Sequence, residues 1–169
     1  MADLSRHLPL SNRPRGDESG VTGDRRHQLA EVVRQAHLLT GGAPDAVQRF
    51  LLDARLDGEF HGRTLPEIAD ALDAGARRGI RPLTEALTAL LRLAGPREVA
   101  LDPLTSGAVA LYAVTRTPRD RRAVVRANTL HATDAGWEFG HGPVREAPAR
   151  QILDFLLGLG DVPPPLSPR

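Results

Sequence analysis

The residues best able to do chemistry are six histidines, set in a chain of 169 residues with no cysteine. Without thiolates, a metal or proton relay would have to be built from imidazoles and carboxylates. Three groupings stand out. His37, Asp57 and His61 are candidate metal donors; the last two are four residues apart, but Gly58 and Gly62 argue against one regular helical face. His37 falls near the end of a predicted helix, where the dipole favours a protonated imidazole without any further role. Arg119, Arg121 and Arg122 could grip a carboxylate or phosphate through charge-assisted bonds, although a solvated helix end is the commoner use of such a cluster. His131 and His141 lie on the two arms of a predicted hairpin, with Asp134 and Glu138 between them. With the three arginines they form the candidate cofactor-binding set. There is no HExxH, no G-x-S-x-G and no glycine-rich phosphate loop after a strand, so no catalytic residue is assigned.

These groups depend on the elements that carry them. Residues 1–23 mix Ser, Arg, Asp, Gly and Pro and read as a disordered leader. Apolar spacing then predicts helices over 24–40, capped by Asp24; from Pro44 to before Gly58; from Thr64, which with Glu67 forms a capping box, to Gly79; from about Pro82 to Gly95; and from Asp102 and Pro103 to Thr117. The stretch 123–139 reads as a hairpin: Ala123, Val124 and Val125 begin its first strand, Asp134 to Gly136 turn it, and Trp137 to Phe139 return. Asp134 is expected to bond the backbone two residues on, as Asx turns do, and Trp137 is expected to be core. Pro148 opens a last helix whose Ala149, Ile152, Leu153, Leu156 and Leu157 share one face. Residues 161–169 read as a disordered tail. The fold class is α+β: an antiparallel bundle of about five helices over 24–118, then a small hairpin-plus-helix unit over 119–160.

Composition narrows the function. The 22 basic residues are all arginine and are balanced by 21 acids, leaving a net charge of +1. That is not the field of a nucleic-acid binder. No apolar run reaches the ~20 residues that cross a bilayer, and the expectation is a cytoplasmic chain without membrane association.

The words of the closing unit say more. In LHATDAGWEFGHGPVREAPARQILDFLLGLG, the residues Ala132, Thr133, Asp134, Trp137, Gly140, Gly142, Pro143, Pro148, Ala149, Leu156 and Leu157 carry a pattern that resembles the carboxy-terminal signature of the mycothiol-dependent maleylpyruvate isomerase family, within the DinB-like superfamily. Upstream, EVVRQAHLLTGGAPDAVQRFLLDARLDGEF and GIRPLTEALTALLRLAGPREVALDP resemble further family segments, extending the likeness over roughly 29–160. The resemblance implies an up-and-down helical bundle followed by a small α/β unit. It also implies a zinc ion that holds the mycothiol thiol as a thiolate for attack on a small electrophile.

Of the ligands so implied, His37 alone has a counterpart, since the helix that should supply the rest reads Glu85, Ala89, Leu90, Leu91, Arg92. The first bundle helix is also shortened or lost. The expectation is therefore a degenerate relative, non-catalytic or weakly active, that binds a small molecule or a protein partner. The alternative is an active metal- and thiol-dependent isomerase or transferase drawing on His37, Asp57 and His61. The missing helix would leave apolar surface that a homodimer could cover.

Overall fold

The computed structural model describes residues 23–167, so the leader expected over 1–23 lies, but for Gly23, outside the described residues. The chain is α+β, with seven helices and one three-stranded mixed sheet among the described residues. Helices α1 (Arg26–Thr40), α2 (Pro44–Asp53), α3 (Leu65–Ala74), α4 (Ile80–Ala94), α5 (Pro103–Arg116) and α6 (Arg119–Arg126) precede β1 (Thr129–Ala132), β2 (Glu138–Gly140) and β3 (Val144–Ala147), and α7 (Ala149–Leu157) follows.

The helix starts use the chemistry their sequences offer. Asp24 stands one residue outside the α1 cap and accepts both Arg26 N–H at 3.1 Å and Arg78 N–H at 3.2 Å, so one carboxylate ties the start of α1 to the α3–α4 connection. Glu67 reaches back to Thr64 N–H at 2.8 Å, completing the expected capping box of α3. Asp102 accepts Thr105 N–H at 2.8 Å ahead of Pro103, as expected for α5. Two helices are shorter than their periodicity suggests: α2 stops at Asp53 and the backbone turns at Arg55 (φ +56°), while α3 stops at Ala74 and leaves Ala76 exposed.

α1 packs on α3 and α4, α2 on α4, and α5 on both α4 and α7. Leu29, Ile68, Leu83, Leu87 and Leu90 are buried in the first group, and Val109, Leu130, Ile152 and Leu153 in the second, as parts of one continuous core. Burying a leucine-sized side chain contributes about 1.5–3 kcal/mol, so α4, which touches both groups, holds the halves together.

The closing unit keeps the expected hairpin as β1 and β2, but its first strand starts later than expected and a third strand joins it. Sheet order is β2-β1-β3, with β2 antiparallel to β1 but β3 parallel to it, Thr129 opposite Val144 and Ala132 opposite Ala147. Ala123, Val124 and Val125 belong to α6 rather than to a strand, and only Val125 is buried there. Gly140, at φ +113°, passes so close to Asn128 that a Cβ would stand 2.3 Å from its carbonyl oxygen. No side chain fits at that crossing. Within the tail expected to be disordered over 161–169, residues 164–167 run antiparallel along the outer edge of β3, where Leu166 pairs with Arg145.

Candidate functional site

The three expected metal donors are not assembled. His37 lies exposed at the end of α1, and Asp57 and His61 lie in the α2–α3 connection. Among the described residues no group of three His, Asp or Glu side chains could hold a metal ion. A catalytic zinc takes three protein ligands and keeps one open position. These donors do not fit it, and nothing in the chemistry below is routed through a metal.

The arginine cluster has a different use from anion binding. Arg121 is mostly buried and donates to Phe155 O, to Gly160 O at 2.9 Å and to the Asp161 carboxylate. Arg122 donates to Thr117 O at 2.9 Å and Thr115 O at 3.2 Å. The last carbonyls of a helix have no partner within it; these two guanidinium groups satisfy those of α7 and α5. Arg119 is exposed at the start of α6. Of the three residues expected to share an anion grip, Arg119, Arg121 and Arg122, two therefore already donate to backbone oxygens.

The histidine pair is also separated. His131 sits opposite Glu138 in the β1–β2 register, with Nδ1 3.7 Å from the carboxylate, whereas His141 lies exposed beyond Gly140 at the other end of β2. Asp134 does not make the expected local turn bond. The turn is closed by Gly136 N–H on Ala132 O at 2.9 Å, and Asp134 instead accepts Ala149 N–H at 2.7 Å, fifteen residues on, capping α7 from a distance. Trp137 is half-buried: its ring stacks on Phe139, its indole N–H donates to buried Ser106 at 2.9 Å, and it lies over Gly107, where a Cβ would come within 3.1 Å of the ring. It is therefore part of the packing between the sheet and α5.

Among the described residues, two of the concave regions are roomy enough for a small molecule. One, of about 510 Å³, lies between the end of α4 and the start of α7 and is ringed by Arg97, Glu98, Asp134, Arg150 and Asp154. Its arginines are engaged: Arg97 on Leu39 O, Leu93 O and Ala94 O, and Arg150 on Leu91 O, Gly95 O and Asp154. The other, of about 270 Å³, opens where α5, α6 and α7 meet, and Ala113, Leu156 and Leu157 line it. Arg116 and Tyr112 stand in its wall, the guanidinium 5.2 Å from the ring centre, with Thr84 across from them on α4. Arg121 and Thr117 also line it but donate to backbone carbonyls, which leaves Arg116, the Tyr112 phenol and the Thr84 hydroxyl against an apolar wall, a lining that suits a small organic anion. Periodicity hides this pocket because its lining comes from four helices. The spacing of Tyr112 and Arg116, four apart at the end of a helix, was the one signal available. Comparison with family models, with curated proteins and with solved structures finds no match for this chain.

Proposed function

We propose that the chain is a degenerate relative of the mycothiol-dependent maleylpyruvate isomerases, with α1–α5 as a shortened helical bundle, and that it acts as a non-catalytic binder of a small organic acid. The observation that carries the reading is the pocket between α5, α6 and α7, with its apolar lining and Arg116 beside Tyr112. Benzoate is a suitable probe, followed by ligand-observed NMR. Arg116→Ala is expected to weaken binding about tenfold, the scale of one lost charge-assisted hydrogen bond. Benzoate binding that is absent, or unaffected by Arg116→Ala and Tyr112→Phe, would overturn the assignment. The active-enzyme alternative requires about one equivalent of zinc in protein purified without chelator, lost on His37→Ala. The same reading includes a homodimer, supported by Leu104 and Leu111, seven residues apart on α5 and 73% and 55% exposed. A monomer mass in light scattering at every concentration would remove that part.

A further inference from the structure

The sheet ends in an edge that needs covering. In the order β2-β1-β3, β1 is central and β3 has one side paired and one side open. Open edges template pairing with other chains, and proteins cover them or break them with proline. Here the cover is the chain itself. Glu146 N–H donates to Pro165 O at 3.1 Å, Ser167 N–H donates to Val144 O at 2.8 Å, and the Arg145 guanidinium donates to Pro164 O at 2.6 Å. The covering segment is thinly held. Pro164 is buried, but Val162 and Leu166 are 73% and 55% exposed, and Pro163, Pro164 and Pro165 have no N–H to give. It leaves α7 through Gly158, a left-handed residue (φ +78°) that lets the chain swing back.

We propose that the outer edge of β3 is a docking groove for extended, proline-bearing peptide segments of a partner protein, and that residues 162–167 occupy it as a displaceable internal ligand. The groove states its own requirements. A ligand must run antiparallel to β3, place a proline where Pro164 is buried, and turn that residue's carbonyl to Arg145. It must offer the next carbonyl to Glu146 N–H and, two residues later, carry an N–H for Val144 O. The last requirement excludes proline at that position. Strand addition of this kind takes affinity from the backbone and selectivity from alternate side-chain sites. The tether gives the internal segment an effective concentration on the order of millimolar, so a partner must exceed it or act when the segment is weakened. This inference is independent of the acid-binding pocket.

The test uses the full chain with Pro164→Asp and Ser167→Pro, which weaken the internal ligand and leave the groove intact. The probe is a synthetic peptide with the sequence of residues 161–169, and the readout is hydrogen exchange at Glu146 N–H. Exchange is expected to quicken about tenfold or more in the double variant and to slow again when the peptide is added. Quickened exchange that about 1 mM peptide does not slow would overturn the proposal, and so would exchange that the substitutions leave unchanged. The native chain supplies a check that needs no variant. There Glu146 N–H should exchange about a hundredfold faster than Ala132 N–H, which is bonded to Trp137 O at 3.0 Å across the β1–β2 turn. Equal rates would mean that the segment opens only with the whole fold, against the proposal.

Discussion

The arginines of the two halves of the molecule differ in the partners they favour, although Arg26 in the first half also reaches Gly75 O at 2.9 Å, and Arg121 and Arg150 in the second also pair with Asp161 and Asp154. In α1–α4, Arg34 reaches Asp73 and Asp70, Arg78 reaches Glu59, and Arg81 reaches Glu85, all largely at the surface. In the second half, Arg121, Arg122, Arg145 and Arg150 reach backbone carbonyls of other segments. The difference follows from architecture. Long helices packed side by side satisfy their own backbone and leave side chains to pair over the seams. Short helices meeting a sheet at their ends expose terminal carbonyls, which need donors from elsewhere. An exposed ion pair contributes little, whereas removing the donor from a buried carbonyl leaves a desolvated group without a partner.

The largest expected effect tests this directly. Arg121→Leu should lower unfolding stability by about 2–3 kcal/mol, because two backbone oxygens and Asp161 lose their donor together; a urea midpoint unchanged from the native chain would break the comparison. Next is Ser106→Ala, expected to cost about 1–2 kcal/mol by stranding the indole N–H of Trp137. As the chain has one tryptophan, its emission reads the same event. Asp134→Ala should cost about 1 kcal/mol, the usual loss of an N-cap, with α7 amides exchanging faster while those of α1 do not change.

The smallest effect belongs to the first half. Burial works against the charge on Asp73, but hydrogen bonds from Arg34 and His27 outweigh it and hold this carboxyl below its ordinary 3.8. A carboxyl with a lowered folded pKa contributes stability above its unfolded value and loses that contribution as pH falls through the folded one. Asp73→Asn should therefore lower stability by less than about 1 kcal/mol at pH 6, and the gap from the native chain should close below about pH 4. A larger gap, or one that persists in acid, would erase the contrast between the halves.

The first half was legible in the sequence because its signals are local. The capping box at Thr64 and Glu67 and the Asp102–Pro103 start are written within four residues, and the apolar faces of α1 and α4 repeat within one helix. The closing unit depends on partners distant in the chain. Val124 and Val125 are β-branched and read as strand, yet they sit in α6, which Arg122 ties to the end of α5. β3 has no periodic signal over four residues and exists through its parallel pairing with β1. Asp134 and Arg121 stand out in the sequence as polar groups, but their partners, Ala149 N–H and the Phe155 and Gly160 carbonyls, are set by the fold. Arg121 and Arg122 are helix-end donors, and the pocket beside Arg116 and Tyr112 draws on four helices at once.

The meeting of Trp137 with Gly107 has a consequence for how this chain could change over time. The indole rests where only a hydrogen stands on the helix, so a side chain at 107 would require the ring to move by a few tenths of an ångström, whereas a smaller residue at 137 meets no such obstacle. The order of change is therefore biased: a larger residue at 107 is easier once 137 has become smaller. A chimera that takes α5 from one divergent copy and the sheet from another should lose most stability when it combines a larger residue at 107 with the tryptophan at 137.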